Sequence, residues 1–440
     1  MGPKKIILMA PGTAGDVFPF IGIGAAMAGR GYEVELLANA AFEETARQMG
    51  LGFVALGDVE DHERALAEPD LWTLRRGLSV VMENLVPDPL AAFDILMERV
   101  EPGRTVVVAH PLAMAARLAQ ESRRVPSVTA VLSTCWFRSL HRVPVIYGDR
   151  DLSSMARPLK SLMWALADRF LIDPVVTPPL NRARRRLGLA QIRRPFHEWI
   201  FSPLLTVGLF PDWFAPPQPD WPDTVRLTTF PNFHTTRQMS DRVERFFETG
   251  AAPIVFTPGS GACDVDTFVA SAIDACADLD RRGIFLGTAA RELTAVSDEP
   301  GRFLGAPFVP LDQLLPRAAA LVHHGGVGTT SAALAAGIPQ VVRPLAFDQP
   351  DHAARVEALG VGRCLLPRDF RAHTLSGILR DLLGDQTTEQ TCSDLAGRLA
   401  NEVPMNTICD AIEEAVREAI VEEEEGPGSE SSSPGSFHLR

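Results

Sequence analysis

Residues 321–349 read LVHHGGVGTTSAALAAGIPQVVRPLAFDQ. An apolar run ends in His323-His324 and meets Gly325-Gly326. It then passes Thr329-Thr330 into a short helix of small residues. A second apolar run, 340–342, follows, and the stretch closes on Asp348-Gln349. Strand, glycine turn and helix in that order form a diphosphate grip that uses no metal. Glycines let backbone N–H groups approach the oxygens, and a helix N-terminus supplies about half a positive charge. The residues assigned to the diphosphate are His324, Gly325, Gly326, Gly328 and Thr329. Asp348 and Gln349 offer acceptors and donors suited to sugar hydroxyls. Gly337 and Pro339 have backbone duties instead: Gly337 ends the helix with positive φ, and Pro339 blocks its continuation. The stretch implies a nucleotide-sugar site, and therefore sugar transfer.

Outward from it, short Val/Ile/Leu-rich runs alternate with helical patterns. Strands are predicted at 5–9, 34–37, 105–109, 127–132, 204–209, 254–256, 283–286, 320–322 and 340–342. Continuous apolar runs of this length fit strands covered on both faces, so the fold class is α/β with parallel sheets. Ile6–Asp16, IILMAPGTAGD, is echoed by Pro253–Asp264, PIVFTPGSGACD. Each is a strand ending in Pro-Gly and small residues, which predicts two similar domains with loops facing across a cleft. The expected division is 1–212, a Pro-rich linker at 213–234, 235–403, a helix over 404–421, and a disordered acidic tail at 422–440. The helix is expected from the stripe Ile408, Ile412, Ala415, Ala419.

The chain has 440 residues, 46% of them hydrophobic and 22% charged, which is ordinary for a globular enzyme. No apolar run approaches the roughly 20 residues that span a bilayer. A net charge of −13 argues against nucleic acid as a partner. The six cysteines form no C-x-x-C pair and read as reduced thiols of a cytoplasmic protein.

Four further places carry candidate chemistry. Ser260, in Thr257–Gly261, either binds the same diphosphate or sits in an ordinary loop. Phe308 either stacks on a nucleobase, with Val309 backbone groups reading its edge, or fills core. Asp16, in GTAGDVFPF, either takes a proton from an acceptor hydroxyl or caps the following helix. The run Arg182, Arg184, Arg185, Arg186, Arg193, Arg194 is either a solvated face or a contact for an anionic acceptor or lipid headgroup. Asp264-Val265-Asp266 and Asp278-Leu279-Asp280 match D-x-D, a pattern too short to imply a metal, and none is assigned.

With those residues in view, the chain resembles the GT-B glycosyltransferases, in the UDP-glycosyltransferase-like branch of plant and antibiotic enzymes. His324–Gln349 is similar to their donor signature. Within the branch it is most similar to the rhamnosyltransferases of rhamnolipid synthesis. The shared runs are AGDVFPFIG (Ala14–Gly22), FPDWFAPPQPDWP (Phe210–Pro222), RGIFL (Arg282–Leu286), VPLDQLLP (Val309–Pro316) and LAAGIPQV (Leu334–Val341).

The resemblance implies two Rossmann-like domains facing across a cleft, with the donor on the second and the C-terminal helix crossing back to the first. It implies an inverting, metal-independent displacement with Asp16 as general base. It also implies transfer of a hexose, L-rhamnose from dTDP-L-rhamnose, to a hydroxyl of a hydrophobic or lipid acceptor such as a 3-(3-hydroxyalkanoyloxy)alkanoate. Two other readings stand beside it. One is a glucosyltransferase using UDP-glucose on a sterol, macrolide or other hydrophobic alcohol. The other is a non-catalytic relative that activates a partner. The expected setting is cytoplasmic, with peripheral contact at the inner membrane face. Residues 131–137 and 159–172 are candidates to line an acyl pocket, with Arg184–Arg186 pairing an acceptor carboxylate.

Plant members carry Glu eight residues after the phosphate-binding His, where this chain has Ala332, a difference compatible with dTDP. They also use a His after the first strand as base, and this chain has none there.

Overall fold

The most apolar runs of the sequence become the middle strands of two parallel sheets. The computed structural model describes residues 5–425 apart from 147, 149, 150, 232–237, 260, 261, 263, 297–300 and 403. The first sheet contains β1 (Lys5–Met9), β2 (Glu33–Ala38), β3 (Gly52–Ala55), β4 (Thr105–Ala109), β5 (Ser127–Val131), β6 (Leu205–Gly208) and β7 (Val225–Leu227). Its order is β3-β2-β1-β4-β5-β6-β7. The second contains β8 (Ile254–Thr257), β9 (Gly283–Leu286), β10 (Phe303–Ala306), β11 (Ala320–His323), β12 (Gln340–Val342) and β13 (Gly362–Cys364), in the order β10-β9-β8-β11-β12-β13. Every pairing is parallel; Ile7, for example, lies between Glu35 and Val107. β1, β4 and β5 are buried along their whole length, because helices cover both faces.

Chain order reverses between β1 and β4 in the first sheet and between β8 and β11 in the second. At such a point two loops leave in opposite directions and open a crevice at the strands' carboxyl ends. The echo between the two halves sits there. Gly12, after β1, has φ +126°, and Gly259, after β8, has φ +97°. A Cβ on Gly12 would run into the Asp16 carboxylate, and one on Gly259 would lie 2.9 Å from His324 Cγ. Each Pro-Gly turn therefore lets the chain pass a candidate site side chain at close range.

The stretch expected to be purely linker is partly sheet: Val225–Leu227 pairs with β6 as an edge strand. The C-terminal helix runs Pro404–Glu425, so Glu422–Glu425 extend it, and the rest of the expected tail lies outside the described residues. Ile408, Ile412, Ala415 and Val416 join the core of the first half. Arg30 ties the same helix to the first one (Ala14–Gly29) through Asp410 at 2.6 Å and Glu413 at 3.0 Å.

A buried network also joins the halves. Asp351 accepts hydrogen bonds from Thr134 Oγ1, from Val145 N at 3.1 Å and from Arg355 Nε at 2.6 Å. Arg355 donates on to the Phe214 carbonyl at 3.0 Å. Burial opposes ionisation of Asp351, but Arg355 and Thr134 outweigh it and hold the carboxyl below its usual range.

Candidate active site

One cavity of about 1100 Å³ lies between the two reversal points. Its first wall comes from the loop after β1. Thr13 caps the first helix and Asp16 occupies its third position, so Asp16 is the return partner of a capping box and not the cap itself. Its Oδ2 accepts from Thr13 N at 2.8 Å and Thr13 Oγ1 at 3.1 Å. Its Oδ1 lies 3.7 Å from His110 Nε2. Oδ2 is thus taken up by the capping box, while the residue also lines the cavity.

His110 follows β4 and had no place among the sequence-based candidates. It is buried between Phe20 and Trp136, and its Nδ1 accepts from Leu112 N at 3.2 Å. That bond puts the ring proton on Nε2, facing Asp16. Burial lowers the His110 pKa, with the Asp16 charge opposing, so the ring is neutral and turns its Nε2–H dipole toward the carboxylate at 3.7 Å.

The opposite wall is the turn after β11. The neighbouring histidines divide their work. His323 is fully buried; it accepts from Gly325 N at 3.1 Å, and its Nε2 faces Gln340 Oε1 at 3.0 Å. Burial lowers its pKa to about 3. His324 lines the cavity, and burial lowers its pKa to about 4. The Thr257 backbone lies close enough to favour the protonated ring, yet among the described residues Nδ1 has no hydrogen-bond partner.

Gly326 caps the helix Val327–Ala336, and a Cβ there would come within 2.7 Å of His324 Nε2. Gly326, Gly328 and Thr329 line the cavity. The first N–H groups of this helix have no carbonyl one turn back, which leaves them for an anion. Gly325 departs from expectation: its N–H serves His323, its carbonyl accepts from His352 Nδ1 at 2.8 Å, and it does not line the cavity. Ser260 lies outside the described residues.

Phe308 is half-exposed and lines the cavity beside buried Val309. Asp348 and Gln349 also line it, at the start of the helix Gln349–Ala358. Gln349 Oε1 accepts from Leu345 N at 2.8 Å, so a sugar contact from this side chain falls to its NH₂ group. Burial raises the Asp348 pKa, against the pull of His352. His352 Nε2 is 3.8 Å from Asp348 Oδ2 and 3.3 Å from Ser133 Oγ of the first half. Phe347, at φ +59°, meets Trp72 across the cleft at 6.0 Å between ring centres.

Between these walls the cavity extends into an apolar arm lined by Leu78, Val81, Trp136, Met163, Trp164 and Leu171. The arginines expected at an acceptor carboxylate are elsewhere. Arg184 is buried in a bidentate pair with Glu121, at 2.5 and 2.8 Å, and the cavity's own arginines are Arg75 and Arg138. Of the D-x-D residues, Asp264 pairs with Arg343 and Asp278 accepts from Ser376 at 3.1 Å.

The chain is similar to known glycosyltransferases along most of its length. Residues 270–414 match the model described as Erythromycin biosynthesis protein CIII-like, C-terminal domain, and residues 6–140 match the Glycosyltransferase family 28 N-terminal domain. O-mycaminosyltylonolide 6-deoxyallosyltransferase of Streptomyces fradiae is 30% identical over 397 residues, covering 82% of this chain and 86% of that protein. The fold matches glycosyltransferase VinC, solved in complex with dTDP, at TM-score 0.69 and 18% identity over 94% of this chain and 99% of that one. It matches spinosyn rhamnosyltransferase SpnG, complexed with thymidine diphosphate, at TM-score 0.65 and 16% identity over 93% of this chain and 100% of that one.

Proposed function

Because this chain belongs to the erythromycin biosynthesis protein CIII-like glycosyltransferases of GT-B fold, we propose that it is an inverting transferase moving L-rhamnose from dTDP-L-rhamnose to a hydroxyl on an elongated apolar acceptor. An acceptor of the 3-(3-hydroxyalkanoyloxy)alkanoate type suits the arm. The observation that carries the reading is that Asp16 and the 326–329 helix end face one cavity from opposite reversal points.

Asp16 Oδ1 takes the acceptor hydroxyl proton. The oxygen's electron pair forms the new bond to the anomeric carbon as the bond to the diphosphate oxygen breaks. The departing diphosphate keeps that electron pair, and His324 with the free helix N–H groups stabilises its charge. Thr13 N and Oγ1 fix the carboxylate's orientation, and the His110 Nε2–H dipole faces its other oxygen. Asp348 and the Gln349 NH₂ hold the sugar ring, and Phe308 stacks on the base. No group of the chain is asked to bond covalently to the sugar.

Two features favour the finer assignment. Ala332 and its cavity-lining neighbours Ser331 and Ala335 offer ribose no carboxylate, which suits a deoxyribose diphosphate. The arm is apolar, with Arg75 in the cavity lining as a partner for an acceptor carboxylate, while Arg138 is engaged by Asp168.

The test is a mass-spectrometric transfer assay crossing dTDP-L-rhamnose and UDP-glucose with a hydroxy-fatty-acid dimer and a sterol. Product from the first pair is expected, and Asp16→Asn is expected to remove turnover while dTDP still binds. Product from UDP-glucose and sterol alone would overturn the donor and acceptor assignment. Full turnover by the variant would overturn the base.

A further inference from the structure

The helix Arg157–Ala167 and the π-helical segment Asp168–Ile172 after it form one wall of the apolar arm. Their protein-facing side is anchored. Lys160, Trp164 and Asp168 are buried, Asp168 is held by Arg138 and Arg194 at 2.6 Å each, and Lys160 donates to three backbone carbonyls at 2.6–3.0 Å.

The other side is unlike an ordinary solvent face. Leu159, Leu162, Leu166 and Phe170 follow one another at three, four and four residues, so they share one stripe. They are 53, 53, 47 and 67% exposed. Large apolar side chains scattered singly on a surface need no explanation, but a contiguous stripe marks a face that something covers. None of the four lines the cavity, whereas Met163 and Ala167 between them, and Leu171 after them, do. Leu152 belongs to both sets: it lines the cavity and is 37% exposed.

The electrostatics around the stripe indicate what covers it. From 151 to 198 the acids are Asp168, buried under two arginines, Asp173, partly buried, and the exposed Asp151 and Glu198 at the two ends. Seven exposed arginines lie between Arg157 and Arg194, in a chain whose net charge is −13. A second copy of this chain meeting the stripe about a two-fold axis would crowd Arg157 and Arg169, which share its segment, with their equivalents. An anionic bilayer meets both requirements. An apolar helix face enters the boundary between headgroups and acyl chains, and cations beside it meet lipid phosphate. Among the described residues no helix is long and apolar enough to cross a membrane.

We propose that this face seats the enzyme on a bilayer containing anionic phospholipid, with Leu159, Leu162, Leu166 and Phe170 inserted and Arg157 and Arg169 at the headgroups. Leu152 marks where the arm opens beside the inserted stripe, so an apolar acceptor passes from leaflet to cavity without crossing bulk water. That last step rests on the acceptor reading above; the docking itself does not.

The experiment is flotation of the full chain with phosphatidylcholine vesicles and with vesicles of phosphatidylcholine and phosphatidylglycerol, without donor or acceptor, at low and high salt. One variant combines Leu159→Ser, Leu162→Ser, Leu166→Ser and Phe170→Ser; a second combines Arg157→Glu and Arg169→Glu. Thermal unfolding checks that both remain folded. The wild type is expected to bind anionic vesicles at least tenfold more tightly than neutral ones. Salt and either variant should remove most of that preference. Wild type and first variant floating equally would overturn the proposal. So would wild type failing to float while self-associating through residues whose replacement restores the monomer.

Discussion

Replacing each of the two adjacent histidines by alanine separates the grip from the fold. In His323→Ala, Gln340 Oε1 and Gly325 N each lose a buried partner. An orphaned buried polar group costs about 1–3 kcal/mol, so the pair costs about 2–6 kcal/mol before any void is counted. In His324→Ala, Nδ1 forfeits no hydrogen bond within the described protein. What is lost is packing of the ring against Gly259 and Gly326, about 1 kcal/mol in a site that already opens on the cavity. Its cost falls on the ligand. A hydrogen bond to a charged group contributes about 1.5–3 kcal/mol, which corresponds to roughly 10- to 150-fold in Kd. Calorimetric titration with dTDP and UDP, beside denaturant unfolding without ligand, reads both quantities. The expected pattern is crossed: His324→Ala binds nucleotide at least tenfold more weakly at near-normal stability, and His323→Ala is several kcal/mol less stable. Nucleotide affinity within threefold of wild type in His324→Ala, or equal stability losses in the two variants, would refute the division.

Three other outcomes follow from named contacts. His110→Phe keeps the volume of the ring but removes the Nε2–H that faces Asp16. It should lower kcat about tenfold or more, shift the pH profile of kcat/KM, and leave dTDP affinity unchanged; an unmoved pH profile would reduce His110 to packing. The His323 pKa lies below its unfolded value of 6.5, at about 3. The unfolded chain therefore takes up the proton first as pH falls. Stability should be complete above about 6.5 and decline toward 3, by about 2 kcal/mol at pH 5 from this residue alone. His324 adds in the same direction, and denaturant midpoints at pH 7 and pH 5 measure the sum. Asp351→Asn leaves Arg355 buried without its charge partner, and the free energy of unfolding should fall by about 3–5 kcal/mol. An unchanged midpoint would show that the network between the halves is not under load.

The strands that were legible in the sequence are the interior ones, and the four that were not are the edges. β3 and β7 bound the first sheet, and β10 and β13 bound the second. An interior parallel strand is covered on both faces and reads as a near-continuous apolar run, as Ile6–Met9 in β1 and Val106–Ala109 in β4 do. An edge strand has one neighbour and partial cover. VRL in β7 puts Arg226 in solvent, and GRC in β13 does the same with Arg363. Three residues with a charge in the middle have no apolar signature, and only the pairing to β6 or β12 makes them strands. For the same reason the linker looked longer than it is: prolines punctuate it, and β7 is too brief to interrupt that signal.

The site was legible where one local segment builds it. The 321–349 stretch could be read because strand, turn and helix are contiguous. His110 and His352 could not, because their chemistry depends on elements far away in sequence: Asp16 for one, Ser133 for the other. A signal for His110 did exist, since a histidine immediately after a buried strand next to a reversal point stands where such sheets bind ligands. The strand order that makes it meaningful was not available from residues alone. The arginine run misled for a related reason: local charge says nothing about Glu121, which comes from another helix and takes Arg184 out of reach.

The histidine pair itself was decidable earlier. Side chains along a strand alternate between faces, and His323 is the last residue of β11. One of two neighbours must therefore enter the layer between sheet and helix. The residue still paired in the strand is the one held there, and its Nδ1 then draws the Gly325 N–H inward. The glycine nearest the strand is thus kept out of the cavity by the same alternation that turns His324 toward it.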